Sequence, residues 1–254
     1  MFKFLKKSIN SFLIKTTNYR FVNNTGYTSQ KNSIETDVVL EKDFLEINEK
    51  INKIYKINTL NETNYSAYQT VKNALSLKLK GCIVECGVYQ GQKINYFLET
   101  LNVLKINNID IYIIDTFEGM TESSNEDIQM ITKKVMKKND LSASLESVRD
   151  RIFQSNYPKD RLHFIKMDVR NENDLRNAVK EDIIILRLDT DFYDSTLASL
   201  NSLYSKVVKN GFIIHDDYGH WKGHYDACQK FYNDNNIDPI LLRTCRKERI
   251  EIKN

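Results

Sequence analysis

The sequence predicts an α/β fold with a doubly wound, mostly parallel sheet of seven strands. From residue 82 onward, short apolar runs alternate with segments of helical periodicity, which is typical of consecutive right-handed βαβ units. Each apolar run is too short for an isolated helix, and several end in carboxylates, as strands buried on both faces of a parallel sheet do. The last two runs lie close together, which predicts an antiparallel hairpin at the edge of the sheet.

The elements follow from this alternation. Residues 37–60 predict one or two charged helices outside the sheet, and residues 64–79 predict an amphipathic helix that stops at Lys80 and Gly81. The strands are predicted at 82–86, 109–114, 162–167, 183–188, 212–215, 239–243 and 249–252. The helices between them are predicted at 92–104, 125–138, 144–154, 172–179, 195–209 and 221–235. Residues 61–254 therefore form the predicted main domain, and residues 1–60 an α-helical N-terminal extension with a linker.

The first residues, MFKFLKKSINSFLI, place apolar side chains at helical spacing among lysines. This pattern predicts a basic amphipathic helix over residues 1–15. Such a helix could contact an anionic membrane surface peripherally, or it could equally well pack on the domain or on a second copy in a homodimer. No apolar run is long enough to cross a bilayer, and the N-terminus lacks a secretory signal pattern. The sequence therefore predicts a cytoplasmic protein, with the inner membrane face as the place for any peripheral contact.

Charge and cysteine usage exclude some classes. The 37 basic and 34 acidic residues nearly balance, so the chain has no overall footprint for nucleic-acid binding. Cys82 and Cys86 lie on one predicted strand, where the spacing suits small buried hydrophobes rather than a disulfide. Arg187 lies inside a predicted buried strand and should pair with an acid, because an unpaired buried charge is costly.

Four carboxylates follow two neighbouring strands. Asp189 and Asp191 come after the fourth strand, and Asp216 and Asp217 after the fifth. The carboxyl ends of parallel strands meet at one crevice, where these groups would repel one another unless a cation or a proton joined them. Hard oxygen ligands favour Mg²⁺. A single aspartate could simply cap the helix that follows its strand, but four at two strand ends favour a metal site.

A second site is predicted at the ends of the first three strands. Glu85, Gly87, Tyr89 and Gly91 occupy the first strand-to-helix turn, where Tyr89 replaces the middle glycine of a dinucleotide fingerprint. Asp115 ends the second strand, where an acid can accept ribose hydroxyls, and Asp168 ends the third, within reach of an adenine amino group. This pattern favours a nucleoside without phosphates, such as S-adenosyl-L-methionine, over a turn that binds nothing.

The runs IVECGVYQGQKI, IIDTFEGM, LRLDTDFYDST and GFIIHDDYGHWKGHYDACQKFYNDNNI resemble the macrocin O-methyltransferase family over about residues 64–237. The similarity to catechol O-methyltransferases is more distant. The resemblance implies a class I methyltransferase, Rossmann-like fold and Mg²⁺-dependent methyl transfer from S-adenosylmethionine to a sugar hydroxyl of a glycan, glycolipid or nucleotide-sugar precursor. The alternatives are methylation of a small phenol or catechol, and a non-catalytic nucleoside-binding protein of the same fold.

The resemblance also implies roles for single residues. By position, the metal ligands are Asp189, Asp216 and Asp217, with Asp189 also the candidate base. The charges of the proposed reaction leave Asp191 as the other candidate for the residue that takes the proton. Ser144 would lie near the adenine, and Tyr65 and Tyr68 would belong to the part that folds over the cofactor. Two departures concern the acceptor side: Thr190 stands where a glycine is usual, and the turn after Tyr218 carries residues 219–222.

Three histidines crowd the segment after the fifth strand: His215, His220 and His224. They could indicate zinc, but a zinc site would also want cysteine or a compact histidine pair. We therefore expect an acceptor-binding or base role for one of them instead.

Overall fold

The computed structural model describes residues 38–254, apart from the side chain of Val39. The predicted basic helix and the polar linker lie outside the described residues, so the interpretations that depend on them stay predictions. Within residues 38–254, no helix is both long and apolar enough to cross a membrane.

Seven strands form one sheet in the described part of the chain. They are β1 (Cys82–Cys86), β2 (Ile111–Asp115), β3 (Leu162–Lys166), β4 (Ile183–Leu188), β5 (Val207–His215), β6 (Ile240–Arg243) and β7 (Arg249–Ile252). The spatial order is β3-β2-β1-β4-β5-β7-β6, with β1 to β5 parallel and the β6–β7 hairpin antiparallel at the edge. The strand order reverses between β1 and β4, which creates the crevice where open α/β sheets bind ligands. The doubly wound, mostly parallel prediction is confirmed.

Helices cover both faces of the sheet. They are α1 (Lys42–Tyr55), α2 (Glu62–Ser76), α3 (Gln92–Val103), α4 (Leu145–Ile152), α5 (Glu172–Ala178), α6 (Tyr193–Leu203) and α7 (Lys222–Asn235). Helices α1 to α4 pack with Ile83 of β1 in one apolar cluster, whereas α5 to α7 pack with Val84 in another. All five side chains of β1 are buried, because its two faces meet the two helical layers. Cys82 and Cys86 are therefore small core residues, as expected.

The predicted helix at 125–138 is wrong, because these residues form a loop of turns. Its apolar residues Ile131 and Val135 stay 67% and 48% exposed, so no helical stripe reaches the core. Instead, the buried carboxylate of Asp127 accepts hydrogen bonds from the backbone N–H groups of Ser124 (2.6 Å) and Tyr193 (2.7 Å). These bonds fix the loop across the carboxyl ends of the strands.

The largest boundary difference lies between α6 and β5. The helix predicted at 195–209 ends at Leu203 and is followed by a 3₁₀ turn at Tyr204–Lys206. Strand β5 then begins at Val207, which pairs with Ile183 of β4 across an irregularity in the register. This pairing draws residues 207–211 into the sheet, although their polar residues Lys209 and Asn210 resemble a loop in the sequence.

Candidate active site

A cavity of about 740 Å³ opens at the carboxyl ends of the parallel strands. Its walls come from the ends of β1 to β5, from residues 55–64 between α1 and α2, and from the loop at 115–141. All seven acidic residues that the sequence singles out line this cavity. The cavity lies at the point where the strand order reverses, as the fold predicts.

Arg187 is the central cation of the cavity floor. Its side chain is 2% exposed and pairs with Glu85, with Asp189 Oδ2 at 2.9 Å and with Asp216 Oδ1 at 2.6 Å. Burial opposes the charge, but the three carboxylates hold the pKa of Arg187 well above its usual range. Strand register explains the arrangement, because Glu85 and Arg187 are direct neighbours on β1 and β4. The predicted pairing of Arg187 with an acid is confirmed.

Asp189, Asp191 and Asp217 form a carboxylate trio. Each offers one oxygen atom, and these atoms lie within 4.8 Å of one another. Burial and the neighbouring carboxylates raise the pKa of Asp191 to about 7 and hold the pKa of Asp217 well above its usual range. The Asp217 Oδ2 atom is buried without a hydrogen-bond partner. The trio therefore has more negative charge than its neighbours balance, and one of its oxygens has no hydrogen-bond partner. A divalent cation would supply both the charge and the partner.

Asp216 is held differently from the residues of the trio. Arg187 binds its Oδ1 atom, and Lys247 binds its Oδ2 atom. Although burial acts in the opposite direction, these two cations hold the pKa of Asp216 well below its usual range. The predicted ligand set was Asp189, Asp216 and Asp217, but the oxygens that converge belong to Asp189, Asp191 and Asp217. Asp216 is paired with Lys247 instead. Asp191 reaches its position in the trio with a left-handed backbone, φ 56°.

Glu85, Tyr89, Asp115 and Asp168 line the side of the cavity next to β1, β2 and β3. Burial raises the pKa of Glu85 to about 8 against the pull of Arg187, and its Oε2 atom is buried without a partner. Asp115 Oδ2 accepts hydrogen bonds from the N–H groups of Val88 (2.6 Å) and Tyr89 (3.1 Å), which holds the turn after β1. Three predicted acids therefore reach one wall from three strand ends.

Asp168 forms an ion pair with a neighbouring arginine. Arg170 Nη2 lies 2.6 Å from Asp168 Oδ2, and this pairing lowers the pKa of the carboxyl. Asp168 thus stays ionised at the rim of the cavity, where an acid can accept hydrogen bonds from a ligand.

Both glycines of the β1 turn are required by the packing of the chain. At Gly87 (φ 80°), an added Cβ would lie 2.0 Å from the carbonyl oxygen of Asp189. At Gly91 (φ 84°), which caps α3, it would lie 3.0 Å from the side chain of Ile152. Gly87 lines the cavity, but Gly91 is not among the lining residues. The role predicted for Gly91 in cofactor binding is therefore not supported.

Two other expectations from the resemblance are not met. Ser144 is an exposed N-cap whose side chain accepts a hydrogen bond from Ser147 N at 3.3 Å, so it lies outside the cavity. Tyr65 and Tyr68 pack on Phe44, with ring centroids 5.1 and 5.5 Å away, and belong to the core between α1 and α2. A serine at a helix start has the same sequence pattern in either role, and tyrosines at helical spacing suit a core as well as a lid.

The wall above the turn instead comes from residues that sequence reasoning missed. Tyr55, Asn61, Thr63 and Asn64 line the cavity together with Lys93 on α3. Lys93 Nζ donates to Thr63 Oγ1 at 2.7 Å and to Asn64 Oδ1. Burial, aided by Arg187, lowers the pKa of Lys93 to about 8. No short motif marks these positions, because they meet Lys93 only through the packing of α2 on α3.

Of the three histidines, only His220 lines the cavity. Its Nε2 atom contacts the Gln129 amide at 2.7 Å, which ties the 115–141 loop to the segment after β5. Trp221 also lines the cavity but is 4% exposed and packs edge-on against Phe192. His215 and His224 are fully buried between β5 and α7, so a base or acceptor-binding role for either is not supported.

Comparison with known proteins agrees with this geometry. The sequence matches the macrocin-O-methyltransferase (TylF) family over residues 64–244. This range contains strands β1 to β6. It also contains every acidic residue of the cavity named above.

Two characterised relatives are similar in sequence. One is demethyldecarbamoylnovobiocin O-methyltransferase of Streptomyces niveus, 25% identical over 59% of this chain and 57% of the relative. The other is 8-demethyl-8-(2,3-dimethoxy-alpha-L-rhamnosyl)-tetracenomycin-C 4'-O-methyltransferase of Streptomyces olivaceus, 26% identical over 65% of this chain and 61% of the relative. The matched region thus spans about three fifths of the length of each relative.

Solved structures share the fold. The O-methyltransferase NovP superimposes with a TM-score of 0.68 at 22% identity, covering 76% of this chain and 79% of NovP. The MycE methyltransferase of the mycinamycin pathway, solved in complex with Mg, SAH and mycinamycin VI, superimposes with a TM-score of 0.51 at 13% identity. That match covers 83% of this chain and 54% of MycE. At these identities the likeness establishes the class I methyltransferase, Rossmann-like fold, which confirms that prediction.

Proposed function

Since the chain belongs to the macrocin O-methyltransferase family, we propose that it transfers a methyl group from S-adenosylmethionine to a hydroxyl of a sugar-containing acceptor, with the help of a divalent cation such as Mg²⁺. The observation that carries this proposal is the carboxylate trio at the cavity floor, with the partnerless Oδ2 atom of Asp217 buried inside it. A family resemblance alone would leave the chemistry to analogy, whereas the trio supplies a physical reason for a cation.

Asp189, Asp191 and Asp217 are the residues that would hold the cation. Their oxygens are hard ligands, and hard ligands select Mg²⁺ over softer metals. Asp216 would not bind the cation directly, because Arg187 and Lys247 already pair with both of its oxygens. This assignment differs from the one implied by the resemblance, which places Asp216 in the ligand set and leaves Asp191 out.

Glu85, Asp115 and Asp168 are the residues that would hold the methyl donor. The donor carries an amino group, a sulfonium and a ribose, and no phosphate, so acids suit it better than a phosphate-binding turn. The buried, partnerless Oε2 atom of Glu85 supports a ligand with a cationic or donor group near the end of β1. Gly87 and Tyr89 would line the same wall through their backbone.

When bound, the donor would supply an electrophilic methyl group, and the cation would make an acceptor hydroxyl more acidic. Asp189 is the residue of the trio that an acceptor can reach, because its side chain is 29% exposed while Asp191 and Asp217 are buried. Asp189 would therefore take the hydroxyl proton. Arg187 would orient Asp189 through the 2.9 Å contact to Oδ2 and keep Glu85 in place on the donor side.

The acceptor would enter from the side of Gln129 and His220. Both residues line the cavity, and the contact between them connects the loop at 115–141 to the segment after β5. The names of the relatives support a sugar-linked acceptor, since one modifies a rhamnosyl group and MycE was solved with mycinamycin VI. A sugar offers neighbouring hydroxyls that can be positioned together, which supplies part of the barrier reduction through orientation.

The test is a methyl-transfer assay with purified protein, S-adenosylmethionine and a panel of nucleotide sugars, glycosides and catechols. We expect transfer to a sugar hydroxyl that chelators abolish and Mg²⁺ restores. Asp189→Asn should be inactive, whereas the matched change Asp238→Asn at an exposed position outside the cavity should have no effect. Transfer that persists in chelator would contradict the role of the cation, and binding of the donor without transfer to any acceptor would favour a non-catalytic protein.

A further inference from the structure

Three potential metal ligands meet between β5 and α7. His215 is the last residue of β5, and His224 and Cys228 lie one turn apart on α7. One donor atom from each of the three lies within 4.8 Å of the others. All three side chains are fully buried, and none of them lines the cavity.

The separations are compatible with a shared ion, and the contact between the two histidines is long for a hydrogen bond. His215 Nδ1 lies 3.4 Å from His224 Nε2 and 3.4 Å from Cys228 Sγ. A nitrogen-to-nitrogen hydrogen bond is normally about 2.7–3.2 Å long, so the contact between the histidines is loose for a hydrogen bond. With Zn–N near 2.0–2.1 Å and Zn–S near 2.3 Å, ligands on one tetrahedral ion lie about 3.3–3.6 Å apart.

The outer nitrogens of both rings have partners that would orient them. His215 Nε2 lies 3.3 Å from Glu251 Oε2 and 3.0 Å from the Tyr232 hydroxyl, which itself donates to Glu251 Oε2 at 2.6 Å. His224 Nδ1 lies 3.3 Å from Thr196 Oγ1. Metal-bound histidines in proteins usually engage their second ring nitrogen in this way, most often with a carboxylate. The inner nitrogens are thereby left to face each other and the sulfur.

From this geometry we propose that His215 Nδ1, His224 Nε2 and Cys228 Sγ bind one soft d¹⁰ metal ion, Zn²⁺ or Cu⁺. A thiolate with two imidazoles selects such ions over Mg²⁺ and Ca²⁺, which prefer oxygen. Binding removes the proton of the Cys228 thiol, which passes to solvent as the ion enters. The site is chemically distinct from the carboxylate trio, so each can exist without the other.

The position of the site gives the ion a structural role. His215 immediately precedes Asp216 and Asp217, and His224 and Cys228 belong to the helix that follows. An ion held by both elements would tie α7 to the end of β5 and hold the backbone that presents the two aspartates. Because the ion would bind the folded state only, it should raise the thermal midpoint of unfolding.

The experiment uses the whole chain, purified without a histidine tag, stripped of metal and titrated with Zn²⁺, with Cu⁺ under anaerobic conditions, and with Co²⁺ as a spectroscopic probe. We expect one thiolate-bound ion per chain, counted by a near-ultraviolet thiolate-to-cobalt charge-transfer band, together with a higher unfolding midpoint; an ion held by the carboxylate trio has no thiolate ligand and gives no such band. Cys228→Ser and His224→Gln should lose the band. Cys245→Ser and Asp217→Asn should keep it, since Cys245 is a cysteine elsewhere in the chain and Asp217 belongs to the carboxylate trio.

Glu251→Gln provides a graded variant. It keeps the shape of the side chain and removes the charge of a carboxylate that faces His215 and accepts hydrogen bonds from Tyr204 and Tyr232, so metal affinity should fall about 10- to 100-fold while the band stays. A wild-type protein that takes up neither ion, or that binds cobalt without a thiolate band, would overturn the proposal even if the variants failed to fold. Competition between Zn²⁺ and Cu⁺ on the wild type then identifies which ion the site prefers.

Discussion

Glu85 on β1 and Arg187 on β4 are register neighbours whose buried side chains form an ion pair at the floor of the cavity. The same guanidinium also binds Asp189 and Asp216. One buried cation therefore connects the wall proposed for the methyl donor to the carboxylates proposed for the cation. The stability of the cavity floor and its chemistry depend on the same residue.

Replacing Arg187 should destabilise the fold as well as stop activity. Arg187→Met leaves Glu85 and Asp216 buried with too little positive charge, and breaking a buried pair from one side typically costs about 3–5 kcal/mol. Denaturant unfolding followed by circular dichroism measures the loss. Arg176→Met, on the exposed face of α5, is the matched control and should cost much less. A double variant with Glu85→Gln should recover part of the loss, and no recovery would mean that charge imbalance is not the cause.

Asp217→Asn should strongly reduce methyl transfer with little loss of fold. The change keeps the size of the side chain but removes a negative charge from the trio, and cation-assisted steps of this type are worth several kcal/mol, or about 10²–10³-fold in rate. Because burial and neighbouring carboxylates hold the pKa of Asp217 above its usual range in the metal-free protein, the amide should if anything stabilise that form. Turnover against Mg²⁺ concentration and unfolding in chelator are the two measurements. Wild-type turnover at saturating Mg²⁺ would contradict the assignment.

Lys247 provides a test of which carboxylates bind the cation. Lys247 pairs with Asp216 and lies near the trio, so Lys247→Gln removes a competing positive charge and should strengthen Mg²⁺ binding. Asp191→Asn should weaken Mg²⁺ binding more than Asp216→Asn does, since Asp191 belongs to the converging set and Asp216 does not. Calorimetric titration with Mg²⁺ distinguishes these outcomes. The reverse order for the two asparagine variants would restore the ligand set implied by the family resemblance.

Strands β1, β2 and β4 could be predicted from sequence because burial on both faces leaves a nearly continuous apolar run, as in Ile183–Leu188. The helix predicted at 125–138 failed because its pattern is local, whereas the contact of Asp127 with Tyr193 N comes from a distant part of the chain. The acids of the cavity were also predictable, since the ends of parallel strands meet. Their partners were not, because Lys247 comes from the loop between β6 and β7 and only the folded sheet brings it to Asp216.

Part of the cluster at His215 is visible in the sequence. Histidine and cysteine at positions 224 and 228 have the one-turn spacing that places two ligands on the same face of a helix. The third ligand could not be assigned from spacing alone, because His220 is closer to His224 in sequence than His215 is, and only strand β5 brings His215 against α7.

Stability should depend on pH through Asp110, which precedes β2. Asp110 Oδ1 contacts His163 Nε2 at 2.6 Å and Asp110 Oδ2 accepts a hydrogen bond from Arg161 Nη1 at 2.8 Å, and despite burial these partners lower the pKa of the carboxyl. A carboxyl whose pKa is lower in the folded state stabilises the fold above its unfolded pKa of about 3.9, and this contribution is lost as the pH falls through the folded value. Because both partners are more than a third exposed, we expect only about 1 kcal/mol.

Urea unfolding of wild type and Asp110→Asn at neutral and acidic pH measures this contribution. The variant should be less stable than wild type at neutral pH, and the difference should shrink at a pH below the usual range of aspartate, where the wild-type carboxyl is also protonated. Asp160→Asn, an exposed acid in the adjacent 3₁₀ turn, is the matched control and should leave both values unchanged. A difference that is constant across the pH range would mean that Asp110 acts through its shape and hydrogen bonds rather than through its charge.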